Sequence, residues 1–397
     1  MMKKPLEGVR VLDLTRVLAG PFCTMMLLDL GAEIIKVENP KGGDDSRAFG
    51  PFQNGKSAYF LTINRGKKSV SLNLKTEKGK EILRELVKHC DVICENYTPG
   101  TMEKLGIGYE DLRKINPRII YAAMSGFGHT GPDRAKPAYD ILVQAMGGVM
   151  SITGWPGSAP TRVGVSMGDI SASLFGAIGI TTALYQREKT GVGQKVDVAM
   201  LDCQAAMLEN ALARFQVDKE VPQPLGSRHP SITPFQAYQA QDGYLIIAAG
   251  NDVLWSKLCT ALCCVHLIAD VRFDSNAKRS VNVEAVEREL NGILSQKSVS
   301  YWMTLLNDAG VPCSPVNGMD AVLKHPQLLA RNMFVDVDDP AFPGMKIPGN
   351  PIKMSSLPEE QSRAKAPEIG EHNEEVLHDL LGMSAAQIAE VLKSGAF

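Results

Sequence analysis

The chain has 397 residues, 44% hydrophobic and 22% charged, so it can bury a sizeable core and is too long for one ordinary domain. Its 42 basic and 44 acidic side chains leave a net charge of −2, which excludes a global basic field for nucleic acid; any anion must be held by a local site. Eight scattered cysteines with no CxxC pair argue against a zinc site and a disulfide framework and fit a reducing cytoplasm.

Glu7, Arg10 and Asp13 interrupt the opening "MMKKPLEGVRVLDL", so neither a signal peptide nor a membrane span is expected. "VRVLDL" (9–14) reads as a buried strand, "GPFCTMMLLDLGA" (20–32) as a helix with Pro21 in its first turn, and "EIIKVE" (33–38) as a second strand. That order implies a parallel pair joined by a right-handed crossover. "NPKGGDD" (39–45) reads as a turn. "NRGKKS" places Arg65, Lys67 and Lys68 in a basic turn, either solvated or phosphate-binding. The alternation continues with a strand at 68–74, a helix at 76–90, a strand at 91–96, a helix at 108–115 and a strand at 118–126. The expected class is α/β, with a Rossmann-like large domain built on a parallel sheet and a smaller α/β domain. No GxGxxG follows the first strand and no GxxxxGK[ST] occurs, so neither a nicotinamide nor a flavin cofactor is expected.

His129, in "GFGHTGP", is an acid–base candidate or a solvated loop histidine. Ser125 and Ser166 lack a G-x-S-x-G elbow, which speaks against a serine hydrolase. "GVSMGDISASLFG" (164–176) sets Asp169 at the mouth of an apolar helix that ends at Gly191, and the ordinary explanation for such an acid is an N-cap. A strand at 194–200 and an apolar helix at 201–215, with Cys203 in the core, complete a large domain over 1–216. The Pro-rich stretch 217–235, which carries Arg228 and His229, reads as a linker. A small domain follows at 236–330, opening with two strands around a Gln-Asp-Gly turn, and 331–397 returns to the large domain and closes as two short helices.

Several motifs together resemble the class III CoA-transferase family, the CaiB–BaiF or formyl-CoA transferase family. They are "PLEGVRVLDLTRVLAGP", "GAEIIKVENP", "NRGKKSVSLNLKT", "DVICENYTPG", "INPRIIYAAMSGFGHTGP", "YDILVQAMGG", "GVSMGDISASLFGAIGITTALYQREKTGVGQ", "PGNPIKMS" and "APEIGEHNEEVL". The resemblance is collinear over nearly the whole chain. It implies transfer of coenzyme A from an acyl-CoA to a free carboxylic acid, with CoA as substrate and no prosthetic group or metal. It further implies a homodimer of interlocked chains, free of nucleic acid and membrane.

In this family the aspartate of the G-D motif is the nucleophile, and that residue is Asp169 here. Its carboxylate would attack the thioester to give a mixed anhydride, and returning thiolate would give an aspartyl-CoA thioester, dividing one hard exchange into activated steps. A helix N-terminus would keep the carboxylate ionised. The resemblance assigns CoA contacts to Val17, Leu18, Leu72, Asn73, Lys75, Asn96, Tyr97, Thr98, Lys104, Lys136, Ala138 and Tyr139. A family arginine after the second strand is Asn39 here, with Lys36, Lys41 and Arg47 as alternatives, and the glycine-rich loop of the formyl-CoA enzyme is not evident. The stretches 160–169 and 226–251 look most like the dicarboxylate branch. Arg162, Arg228 and His229 are the candidate cations for the free carboxylate of a succinyl-CoA-like donor, because arginine can grip carboxylate through two parallel hydrogen bonds. Two other readings stand beside this one. An α-methylacyl-CoA racemase would want a histidine where Tyr139 stands, and a non-catalytic CoA-binding protein would not need the G-D motif.

Overall fold

The computed structural model describes residues 3–397. Its contacts divide the chain into two units. The first comprises Met1–Met150, Arg162–Lys219 and Pro326–Phe397; the second comprises Ser151–Thr161 and Glu220–His325.

The first unit opens with strand β1 (Arg10–Asp13), helix α1 (Ala19–Asp29) and strand β2 (Glu33–Glu38), as the hydrophobic runs require. A small hairpin, β3 (Phe52–Gln53) and β4 (Lys56–Ser57), leads into α2 (Ala58–Asn64). Then follow β5 (Lys68–Ser71), α3 (Glu77–Val87), β6 (Val92–Glu95), α4 (Thr101–Lys104), α5 (Tyr109–Ile115) and β7 (Ile120–Ser125). After α6 (Asp140–Met146) and α7 (Val149–Ile152) comes the long α8 (Met167–Thr190), and β8 (Lys195–Ala199) completes the sheet.

The sheet has six parallel strands in the order β5-β2-β1-β6-β7-β8. Sequence order runs outward from β1 to β5 and then reverses to run from β6 to β8. The topological switch point therefore lies between β1 and β6, and such sheets bind ligands in the crevice outside the carboxyl ends of their strands at that point.

Both faces of the sheet are covered, so alternate residues of each strand enter different cores. Leu12, Ile35, Val70, Ile93 and Tyr121 pack with Ile82, Leu83 and Leu86 of α3 and with Leu377, Ile388 and Val391. Val11, Ile34, Val92, Ile120 and Ala122 pack with Cys23 and Leu27 of α1 and Ala177, Ile180 and Leu184 of α8. Gly176 lets α8 lie this close, since a Cβ there would stand 2.9 Å from Met124 Sδ and 3.3 Å from Cys23 Sγ. Gly191 ends α8 at φ 75°, a left-handed cap glycine takes without cost. Among the described residues α8 is the one helix long and apolar enough to cross a membrane by length and composition; here it is a core helix against α1, β7 and β8.

The second unit has the antiparallel strands β9 (Phe235–Gln239), β10 (Tyr244–Ala248) and β11 (Cys313–Pro315), in the order β11-β10-β9, with the Gln-Asp-Gly turn between the first two. Leu245, Ile247, Trp255, Phe273, Leu290 and Trp302 are among its core. Its contacts draw in Ser151–Thr161, which lie before 217–235, and also the segment read as a linker. The reason is local bonding. Thr233 N–H donates to Asn276 Oδ1 at 3.0 Å, and the buried Arg279 donates through Nε to Thr233 O at 2.9 Å.

Three further differences from the sequence reading concern the first unit. The helix at 201–215 is broken at Leu208 into Met200–Met207 and Glu209–Asp218. The β3–β4 hairpin was not anticipated. Nor was a small sheet of β12 (Phe334–Asp338), β13 (Lys346–Pro348) and β14 (Ser362–Ala364), whose strands are short and carry polar residues or Pro.

Candidate active site

The loop that leaves β1 at the switch point is held almost atom by atom by side chains. Thr15 N–H donates to Asp13 Oδ1 at 2.9 Å, and Thr15 O accepts from Lys36 Nζ at 2.7 Å. Arg16 N–H donates to Asn96 Oδ1 at 2.9 Å, and Arg16 O accepts from Asn96 Nδ2 at 2.8 Å. Val17 N–H donates to Asp44 Oδ1 at 3.0 Å. These bonds sustain an unusual backbone, because Val17 has φ 68°. A β-branched residue there is strained by ~1–3 kcal/mol, and such strain persists only where the surroundings over-determine it.

Asp169 is the third residue of α8, so it is not the N-cap. That position belongs to Ser166, whose side chain makes no cap bond. The cap is supplied from outside the helix: Gly168 N–H donates to Asp140 Oδ1 at 2.8 Å. Residue 168 must be small for this approach, since a Cβ would lie 2.6 Å from Val143 Cγ2 and 3.2 Å from Asp140 Oδ1. Asp140 Oδ2 accepts from Gln144 Nε2 at 2.8 Å and from Arg162 Nε at 3.2 Å. Arg162 also donates to Ser166 Oγ at 3.0 Å, which ties the approach to α8 onto Asp140.

The Asp169 carboxyl is half-buried, and its pKa is pushed from its ordinary 3.8 up to about 7. Burial is the largest cause, the like charge of Asp140 adds to it, and Arg162 opposes. The expectation that the helix terminus alone keeps this group ionised does not hold, because a terminus is worth only ~0.3–1 kcal/mol and desolvation outweighs it. A carboxyl poised near neutrality in this way is typical of a reactive group.

Ile170, the next residue, packs in an apolar cluster with Val17, Leu18, Phe22, Met25, Tyr59 and Ile63. The structure thus brings Val17 and Leu18 into the cluster on which the aspartate's neighbour packs. Tyr59 went unremarked in the sequence because α2 is a short helix with no motif around it. Its phenol is pushed up to about 12 by burial first and then by the charge of Asp169.

The remaining candidate contacts follow the carboxyl ends of β5, β6 and β7, the edge on which such sheets bind ligands. Lys75, Thr98, Lys104 and Lys136 are exposed, and Lys136 pairs with Asp133 at 2.8 Å. Asn73 N–H donates to Ala396 O at 2.7 Å, and Ala138 packs under Gly126, where a Cβ would stand 2.0 Å from its own. Tyr97 lies under the Arg16 guanidinium, 5.6 Å from the ring centre, with its N–H on Glu95 Oε2 at 2.8 Å. Tyr139 is 74% exposed immediately before Asp140. The Leu72 side chain is buried in the core, and both amide atoms of Asn96 serve the Arg16 backbone.

The basic residues are also spoken for. Arg65 makes two 2.9 Å bonds to Asp29, Lys67 lies 3.0 Å from Asp13, and Lys68 bridges Glu33 at 2.7 Å and Glu375 at 2.8 Å. "NRGKKS" is therefore neither a solvated turn nor a phosphate cradle. Of the three stand-ins for the family arginine, Lys36 pairs with Asp44 and Arg47 with Glu38, while Lys41 faces solvent. His129 is not solvated either. Its ring is buried, with Nδ1 2.8 Å from Lys195 Nζ and Nε2 3.6 Å from Glu95 Oε1. Burial pushes the Glu95 carboxyl up to about 7.

Of the three candidate substrate cations, Arg162 stands at the aspartate's helix in an ion pair with Asp140. Arg228 and His229 belong to the second unit. There Arg228 Nε reaches Leu225 O at 3.5 Å, and the His229 ring lies 5.4 Å from that of Phe235.

Residues 6–373 match the description of CoA-transferase family III. The chain is 44% identical over 93% of its length to an acetyl-CoA:oxalate CoA-transferase of Acetobacter aceti, of which it covers 94%. It is 40% identical over 99% of its length to a succinyl-CoA:glutarate CoA-transferase of Mus musculus, of which it covers 90%. A crystal structure of a CaiB/BaiF family protein from Brucella suis superposes with a TM-score of 0.85 at 38% identity, covering 96% of this chain and all of that one.

Proposed function

We infer the reaction from the premise that this chain belongs to CoA-transferase family III and is an enzyme of that family: it carries CoA from a dicarboxylyl-CoA such as succinyl-CoA to a dicarboxylic acid, with Asp169 as the nucleophile. The observation that carries the assignment is Asp169 itself, half-buried at the Asp140-capped start of α8 with a carboxyl pushed up to about 7. One of its oxygens attacks the thioester carbonyl, and CoA leaves as thiolate, giving an aspartyl–acyl anhydride. The thiolate then attacks the aspartyl carbonyl and expels the donor acid as its carboxylate, leaving an aspartyl-CoA thioester. The acceptor carboxylate attacks that thioester and releases thiolate again. Thiolate attack on the acceptor's carbonyl finally frees the new acyl-CoA and regenerates Asp169. Each step exchanges one activated acyl bond for another, so no external energy source is required.

The dicarboxylate assignment is supported by the names of relatives acting on oxalate and glutarate. The racemase reading loses support at Tyr139, since a phenol with a reference pKa of ~10 is a poor base at neutral pH. We place the enzyme in the cytoplasm, which suits its eight free thiols, and assign it an interlocked homodimer. Interlocked chains cannot part without unfolding, so sedimentation at nanomolar dilution is expected to show dimer; a folded monomer overturns that assignment. The decisive test of the reaction is a CoA-exchange screen over short mono- and dicarboxylic acids read by mass spectrometry, with hydroxylamine added to trap the acylated aspartate. Native turnover without any Asp169 adduct would sink the mechanism.

A further inference from the structure

We propose that Asp44 is a positioning residue for transfer at Asp169: together with Lys36 it holds Val17 in its left-handed conformation and so fixes the apolar wall beside the reacting carboxylate. The proposal rests on the reading of Asp169 given above. Glycine would adopt φ 68° without steric cost, so valine at that position needs both a reason and a restraint. The reason is the side chain, which packs on the Leu18, Met25 and Ile63 cluster that Ile170, the residue after Asp169, also packs on.

The restraint is Asp44. Its Oδ1 accepts from Val17 N–H at 3.0 Å, from Ser46 N–H at 2.9 Å and from Ser46 Oγ at 2.7 Å. Its Oδ2 lies 2.8 Å from Lys36 Nζ, and both side chains are buried. The same ammonium donates to Thr15 O at 2.7 Å, so one cation grips the loop and the loop's anchor together. The anchor is itself fixed to the sheet. Asp44 N–H donates to Glu38 Oε1 at 3.0 Å, and Glu38 takes two 2.8 Å bonds from Arg47 and one of 2.6 Å from Ser69 Oγ. The carboxyl end of β2 and Ser69 of β5 are thus linked, through Asp44, to the orientation of one valine.

The test is a double-mutant cycle between the anchor and the strained residue. The paired change Lys36→Met with Asp44→Ala removes both buried charges at once, and Val17→Gly removes the need for restraint. The measurements are kcat, KM for acyl-CoA, melting temperature and the fraction of chains that hydroxylamine can trap. In the native background the paired change is expected to lower kcat by about tenfold or more with the trappable fraction unchanged, because positioning rather than folding is lost. In the Val17→Gly background the same change is expected to lower kcat by less than about twofold, since the two sites act as one. An equal proportional loss in both backgrounds, or no loss in either, overturns the proposal. If the paired variant does not fold, Asp44→Asn, which keeps an oxygen acceptor, is carried through the same cycle with the same criteria. Turnover by Asp169→Ala would defeat the reading of the site; an inactive Asp169→Ala together with uncoupled Asp44 and Val17 would defeat this proposal alone.

Discussion

Gly168 and Asp140 meet through one 2.8 Å hydrogen bond, and the carboxylate that caps α8 in this way is also the charge that resists ionisation of Asp169, one residue further on. Asp140 and Asp169, the proposed nucleophile, are therefore two acids in one electrostatic unit, with Arg162 balancing them.

Asp169→Ala is expected to abolish CoA transfer, by ~10³-fold or more, because the proposed covalent route runs through its carboxylate. Binding of CoA is expected to persist. Steady-state exchange and calorimetry with free CoA check both halves, and turnover near the native rate would refute the role.

The acid limb of kcat/KM is expected near pH 7, where Asp169 changes charge, with activity rising as pH rises through it. Asp140→Asn keeps a capping oxygen but removes the opposing charge, so the limb is expected to move to lower pH. Arg162→Met removes the favourable charge, and the limb is expected to move up. Profiles from pH 5 to 9 on three proteins decide this; a common limb for all three would break the link.

Lys67→Met is expected to destabilise the first unit by ~3–5 kcal/mol, since it strands the Asp13 carboxylate in a dry site. Burial opposes ionisation of Asp13, but Lys67, Lys36 and two threonine hydroxyls outweigh it and hold the pKa down at about 2, below the ordinary 3.8. Because the folded value is depressed, the native contribution of this group is present above the ordinary value and is lost as pH falls through about 2. Urea unfolding of native and variant proteins between pH 2 and 7 measures both effects.

Dicarboxylates are expected to exceed acetate as acceptors, with succinyl-CoA exceeding acetyl-CoA as donor. Better native turnover with acetyl-CoA and monocarboxylates would overturn the substrate and leave the transferase.

Regular structure was legible wherever one short run carried its own signal. "EIIKVE" is β2 residue for residue, and α8 ends at Gly191 as expected. Partnerships across long sequence separations were not legible. Nothing in "NRGKKS" indicates that Arg65 and Lys67 turn inward to Asp29 and Asp13, which lie 36 and 54 residues earlier. Asp169 was visible as a helix-start acid, but its altered acidity depends on burial first and then on Asp140, brought close by the packing of α6 on α8. Val17 looked like any loop valine, since its backbone angle is imposed by Asp44, 27 residues away.

The core that joins β5 and α3 to Leu377, Ile388, Val391 and Ala396 sets an order of events during synthesis. The sheet's strands emerge early, yet part of one of their two covers is encoded about three hundred residues later. At ~5–20 residues per second the nascent sheet must wait roughly 15–60 s with Val70, Ile82 and Leu86 lacking those partners. The second unit, complete by His325, has all its residues before that cover arrives. Synthesis therefore completes the small unit first, and the larger unit that carries Asp169 last.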